Sequence, residues 1–173
     1  MNTYALEDIF KFAINTEEQG RQFYETASQC VRQKSVKNVF SYLARAEAKH
    51  ARVFLKFCKI YAKKKSFFKV DEAFEEVLDG LLRGLSLPDI SEVRDTLIKH
   101  RQEELISIIK IAMDVELNTI LFYQKLKEGV RGVEPRAALD KIIKEEEQHL
   151  VKLKNLRLDC DPFYAGLKYG KFF

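Results

Sequence analysis

Apolar side chains in the first part of the chain fall at helical spacing. Leu6, Ile9, Phe10, Ala13 and Ile14, then Phe23, Tyr24 and Ala27, follow the i, i+3, i+4 pattern of one buried helix face. The spacing predicts a helix from about Thr3 to Gln29. A second helix is expected with Ser35 as N-cap. It carries Val39, Phe40, Leu43, Ala46, His50, Val53, Phe54 and Phe57 on one side and fades near Lys63. Residues 64–100 break this long period. There Asp71 can cap a short helix over Glu72–Arg83, stopped by Gly84, and Ser91 can cap another through Ile98, after a break at Leu87-Pro88-Asp89. A third long helix is predicted from about Gln102 to Glu128, ended by Gly129 and Gly132. Glu134-Pro135 opens a fourth, because proline is preorganised for the first helical position. It runs to about Arg157, with Asp161-Pro162 as its stop.

The polar positions carry a second pattern. Glu17, Tyr24, Glu47 and His50 return 99 positions later as Glu116, Tyr123, Glu146 and His149. Leu6, Ile9, Lys11, Ala13, Phe23, Val31 and Arg32 return at the same offset as Leu105, Ile108, Lys110, Ala112, Phe122, Val130 and Arg131. The offset pairs the first helix with the third and the second with the fourth, as in a duplicated helical hairpin. One hairpin cannot bury both of its apolar faces, whereas two can close into a four-helix bundle. The expected fold is all-α: a single domain over 1–173, with a hairpin at 3–63, a crossover at 64–100, a second hairpin at 101–158 and a tail at 159–173. One long crossover between the second and third helices, containing one or two short helices, is the connectivity of a ferritin-like bundle.

The repeated residue types specify chemistry. Three residues turn a helix by about 300° and advance it by about 4.5 Å. Glu47-x-x-His50 and Glu146-x-x-His149 therefore each send a carboxylate and an imidazole from one face, toward one ion. Glu17 and Glu116 add one carboxylate from each remaining helix, and Tyr24 and Tyr123, two turns further on, can hydrogen-bond near the site and orient a carboxylate. Four glutamates in one core would repel one another and lose hydration, so some would take up protons unless cations entered. Two divalent ions balance four carboxylates, and oxygen with imidazole donors suits iron or manganese and tolerates zinc. The expected ligands are Glu17, Glu47, His50, Glu116, Glu146 and His149. The register to tyrosine and histidine excludes Glu18, Glu145 and Glu147, expected to point into solvent, and His100, expected at the surface or as a helix cap.

Composition narrows the setting. A net charge of +4 with acidic and basic residues interleaved leaves no nucleic-acid footprint. The densest basic run, Lys59 to Lys69, reads as a solvated helix end or a docking patch for an acidic partner. Cys30, Cys58 and Cys160 are far apart, with no Cys-x-x-Cys spacing, which argues against a disulfide framework or a thiolate metal site. The N-terminus has no signal-peptide pattern and no apolar run suits a membrane span, so a cytoplasmic protein without membrane attachment is expected.

The runs Glu17-Glu18-Gln19-Gly20-Arg21-Gln22-Phe23-Tyr24, Glu47-Ala48-Lys49-His50, Glu116 through Phe122-Tyr123, and Glu146-Glu147-Gln148-His149 resemble the rubrerythrin branch of the ferritin-like superfamily. The resemblance covers the four long helices. It implies a non-haem di-iron centre in which Glu47 and Glu146 bridge the ions, Glu17 with His50 completes one shell, and Glu116 with His149 the other. Rubrerythrins also carry a rubredoxin-like domain with paired Cys-x-x-Cys motifs, and this chain has no such motif. They have a further carboxylate on the third helix, where the residues one turn from Glu116 are here Ala112, Met113, Thr119 and Ile120. The implied function is reduction of hydrogen peroxide or dioxygen with electrons from a separate donor protein. The alternatives are ferrous iron oxidation and iron handling, or a non-catalytic metal-binding module. A homodimer is expected from the resemblance and from the aromatic tail Phe163, Tyr164, Tyr169, Phe172 and Phe173, which can equally pack on its own bundle.

Overall fold

The computed structural model describes residues 6–63, 76–77, 80–81 and 87–161. Among these, five α-helices are delimited: α1 (Leu6–Cys30), α2 (Lys34–Tyr61), α3 (Ile90–Ile98), α4 (Gln102–Gly129) and α5 (Val133–Cys160). α1 packs along α2 and α4 along α5, giving two hairpins, and α2 lies against α5. α3 touches α1 and α4. The chain is all-α, as the apolar periodicity predicts.

The helix directions follow from where each helix places its apolar residues. One buried cluster takes Ile9, Phe10 and Ala13 from α1, Phe54 and Phe57 from α2, Ile120 to Leu126 from α4, and Leu139 to Ile143 from α5. The other takes Phe23, Tyr24 and Ala27, then Val36 to Ala44, Leu105 to Ala112, and Leu153 to Cys160. α1 and α5 thus run from the first cluster to the second, and α2 and α4 from the second to the first. α2 and α4 are parallel, so the end of α2 and the start of α4 lie at opposite ends of the bundle, roughly 40 Å apart for helices of this length. α3 caps the second cluster with Val93 and Leu97. Between the clusters each long helix contributes buried polar residues: Glu17, then Glu47 and His50, then Glu116, then Glu146 and His149.

Several boundaries differ from the sequence expectation. α2 begins one residue before Ser35, with Gln33 at the N-cap position and no side-chain cap, so Ser35 lies inside the first turn. The cap of α3 is Asp89 rather than Ser91: its carboxylate accepts a hydrogen bond from the Ser91 backbone N–H at 2.7 Å. A carboxylate two residues upstream reaches that amide better than the serine's own hydroxyl. α5 starts at Val133, which puts Pro135 third in the helix instead of first, and its last helical residue is Cys160 rather than Arg157. Pro135 still falls in the first turn, where no intrahelical donor is required. Gly132 makes the turn before α5 with φ 108°, and a Cβ there would lie 3.3 Å from the Pro135 ring. His100 is exposed and turns the chain between α3 and α4 with φ 53°, the left-handed position that follows a helix C-cap. The expected helix over Glu72–Arg83 falls mostly outside the described residues, although 76–77 and 80–81 are helical. The tail from 162 onward lies outside them. No described helix is long and apolar enough to cross a membrane.

Both apolar clusters should contribute to stability. Phe54 and Leu153, one in each cluster, are fully buried, whereas Val133 is 88% exposed. We expect Phe54→Ala to cost about 3–5 kcal/mol and Leu153→Ala about 2–5 kcal/mol. Val133→Ala should stay within about 0.5 kcal/mol of wild type. Urea unfolding of the metal-free protein, followed by far-UV circular dichroism, measures all three.

Candidate metal centre

The polar layer forms because the duplicated register sets the glutamates and histidines at one height in all four helices. Ligand atoms of Glu17, Glu47, His50 and Glu146 lie within 4.8 Å of one another, and so do those of Glu47, Glu116, Glu146 and His149. The two groups share Glu47 and Glu146, the carboxylates expected to bridge. All six residues predicted from the sequence are therefore brought together, and all are buried. His50 and His149 lie side by side, ring centroids 5.7 Å apart and planes 25° from parallel.

Several donor atoms face inward without protein hydrogen bonds. Glu47 Oε1, His50 Nδ1, both carboxylate oxygens of Glu146, and His149 Nδ1 are buried with no hydrogen-bond partner among the described residues. His50 Nδ1 is 2.8 Å from Glu146 and His149 Nδ1 is 2.7 Å from it, yet neither approach is aligned as a hydrogen bond. Buried polar atoms are ordinarily paired. Convergence of five such atoms, all of metal-ligating type, fits a pair of cations better than a network of protein hydrogen bonds.

The electrostatics agree. Burial, and then the charge of Glu47, push the Glu17 carboxyl up to about 8. Burial with the charges of Glu146 and Glu47 takes Glu116 well above the ordinary carboxylate range. Burial and a neighbouring carboxylate, Glu146 for Glu47 and Glu17 for Glu146, act to raise them, but both face the two imidazoles, and the balance holds them below their ordinary value. Burial favours the neutral imidazole, yet the carboxylates, Glu146 foremost, outweigh it. They raise His50 far above its ordinary value and His149 to about 10. Without cations, the centre therefore retains protons that an exposed set of the same residues would release.

The tyrosines cross between hairpins. Tyr24 on α1 donates to Glu116 Oε1 on α4 at 2.5 Å, and Tyr123 on α4 donates to Glu17 Oε1 on α1. Burial holds both phenols well above their ordinary pKa, so both remain donors. The sequence placed each tyrosine near a carboxylate, and the structure shows that it orients the glutamate of the other repeat. One phenol enters from each apolar cluster, and together they fix the two glutamates that each serve only one of the two groups.

Among the excluded neighbours, Glu18 pairs with Arg21 on the surface and Glu147 is exposed. Glu145 departs from expectation. It is half-buried, and its Oε2 lies 2.9 Å from His50 Nε2, on the side of the ring facing away from the cluster. The packing of α5 on α2, which turns this residue toward the histidine, is not encoded in the spacing along α5. Beside the cluster, a cavity of about 20 Å³ lies between α1 and α4, lined in part by Thr16, Glu17, Gly20, Val115, Glu116 and Thr119. That volume holds one water-sized molecule. Gly20 keeps α1 close to Glu47, since a Cβ there would stand 3.4 Å from Glu47 Cγ.

Comparison with known proteins places this arrangement. No curated protein matches the chain. Among solved structures, one described as a ferritin-like diiron-carboxylate protein from Thermotoga maritima is similar at 26% identity, with a TM-score of 0.64 over 91% of this chain and 97% of that one. A hypothetical protein from Pyrococcus furiosus shares the fold at 20% identity, with a TM-score of 0.67 over 92% of both chains. The rubrerythrin family model matches residues 8–82 and 87–157, a span that takes in nearly all of the four long helices and every residue of the polar cluster. The chain belongs to the rubrerythrin family.

Proposed function

We propose that the protein is a non-haem di-iron oxidoreductase that reduces hydrogen peroxide or dioxygen, with electrons delivered by a separate donor protein. The observation that carries this reading is the convergence of four buried carboxylates and two imidazoles, in which inward atoms of Glu47, His50, Glu146 and His149 have no hydrogen-bond partner among the described residues. Glu17, Glu47, His50 and Glu146 would hold one ion, and Glu47, Glu116, Glu146 and His149 the other. When bound, an iron pair supplies two electrons and Lewis acidity for cleaving an oxygen–oxygen bond. The family and the description of the Thermotoga structure support iron over manganese or zinc.

The chain's own residues limit what can react. The cavity between α1 and α4 has room for one molecule about the size of water, which suits a small oxidant better than an organic substrate. Glu17 and Glu116 face that cavity, each held by a phenol from the opposite helix. The apolar clusters above and below keep bulk water from the carboxylates.

Three measurements test the reading. Metal analysis should find two ions per chain in wild type and in Glu18→Ala, and fewer than two in Glu47→Ala; two ions retained by Glu47→Ala would overturn the ligand assignment. Mixing the ferrous protein with peroxide in a stopped-flow instrument should give oxidation within the mixing experiment. A protein that binds two ions, gains thermal stability and leaves both peroxide and dioxygen untouched would instead be a metal-binding module. Turnover of many ferrous ions per chain would favour iron handling. The third measurement is the pH dependence of melting. Glu17 rises from 4.5 to about 8 and His149 from 6.5 to about 10 on folding. The folded metal-free chain therefore holds more protons than the unfolded chain across that range, and its stability should fall as pH rises from about 5 to 10. Cations replace those protons, so the gain in melting temperature on adding Mn²⁺ should grow over the same interval.

A further inference from the structure

The two metal positions are built by duplicated sequence, but the outer sides of their histidines are not alike. His50 Nε2 is 2.9 Å from the Glu145 carboxylate. Lys141, one turn earlier on α5, approaches the other oxygen of Glu145 at 3.9 Å. Subtracting the 99-residue offset from Glu145 and Lys141 gives Ala46 and Tyr42. Ala46 has no polar atom to offer, and His149 Nε2 is buried with no hydrogen-bond partner among the described residues. The Tyr42 ring stands perpendicular to the His149 ring at 5.9 Å instead. One histidine is thus backed by a carboxylate and the other by an aromatic ring.

Both histidines turn Nδ1 toward the shared carboxylates, so Nε2 is the outer nitrogen in each. A carboxylate on the outer nitrogen of a ligating histidine fixes the tautomer with its proton on that nitrogen, locks the ring plane and strengthens the inner nitrogen as a donor. Among the described residues His50 has this support and His149 lacks it. Resting on the di-metal reading above, we propose that Glu145 is a positioning residue that makes the two metal positions unequal. The position formed by Glu17, Glu47, His50 and Glu146 fills first and holds its ion, while the one formed by Glu47, Glu116, Glu146 and His149 fills second and exchanges. Loss of such an outer partner typically weakens metal affinity by about 10–100-fold, which sets the expected separation between the two steps.

The test is a titration of metal-free full-length protein with Co²⁺, followed by calorimetry and by the visible absorption of the bound ion. Wild type should bind two ions in two steps at least about tenfold apart. A crystal grown with one equivalent should show anomalous density on the His50 side. Glu145→Ala, at a side chain 35% exposed and outside both clusters of ligands, should weaken the tight step about tenfold or more. It should leave the second step in place, merge the two and change the Co²⁺ spectrum of the first equivalent. Glu145→Gln, which keeps an acceptor oxygen without the charge, should fall between the two. Two ions bound by wild type with one affinity, or a tight step unmoved by Glu145→Ala, would overturn the proposal and leave the metal centre standing. Failure of wild type to bind Co²⁺ at all would overturn both.

Discussion

Burial of four carboxylates at one level of a helical bundle is the constraint on which the rest of this structure depends. An isolated buried carboxylate resists ionisation, and four together cannot all be charged without compensation. The molecule spreads the problem over two kinds of group. Glu17 and Glu116 are pushed toward the protonated form, while Glu47 and Glu146, which face both imidazoles, are held ionised. Cations would remove the conflict by replacing the protons held on Glu17, Glu116 and the two imidazoles and by balancing the charge of Glu47 and Glu146. The apolar clusters on either side make that replacement matter, because they keep water from solvating the carboxylates in its stead.

The fold was legible in the sequence to the extent that it is recorded along helices. Apolar periodicity gives the four long helices, and the repeat of Glu, Tyr and Glu-x-x-His at a constant offset gives the residues that share a level. What crosses between helices was less visible. That Tyr24 serves Glu116 rather than Glu17, and Tyr123 the reverse, depends on how α1 lies beside α4. The register of Glu145 along α5 points it away from the face that carries Glu146 and His149, and so by itself toward solvent. The neighbouring α2 supplies His50 in the direction that register indicates. The helix ends failed for a local reason: competing cap residues such as Asp89 and Ser91 stand two positions apart, and the backbone geometry chooses between them.

Duplication also explains the connectivity. Copies of a hairpin that meet around a shared polar layer must place equivalent helices on opposite sides of it. α1 and α4, equivalent by sequence, run in opposite directions through the two clusters, as do α2 and α5. That arrangement makes α2 and α4 parallel and sets the end of α2 and the start of α4 at opposite ends of the bundle. The need for a long crossover is therefore a consequence of how the metal-type residues face one another, and α3 closes the second apolar cluster with Val93 and Leu97.

The same arrangement gives the centre two different sides. At the seam of α1 and α4 the repeat provides Gly20 and Thr119 at equivalent positions, and Thr16 opposite Val115, so small side chains leave a cavity against Glu17 and Glu116. Glycine inside a helix costs about 1 kcal/mol relative to alanine, a cost that the close approach of α1 to Glu47 makes intelligible. At the seam of α2 and α5 stand the two histidines, stacked and enclosed, with Glu145 behind one and Tyr42 beside the other. The α1–α4 seam sets Glu17 and Glu116 beside the cavity, and the α2–α5 seam supplies both histidines and the two shared glutamates. Space beside the ligands thus falls on one helix pair, and the stacked donors shared by both groups fall on the other.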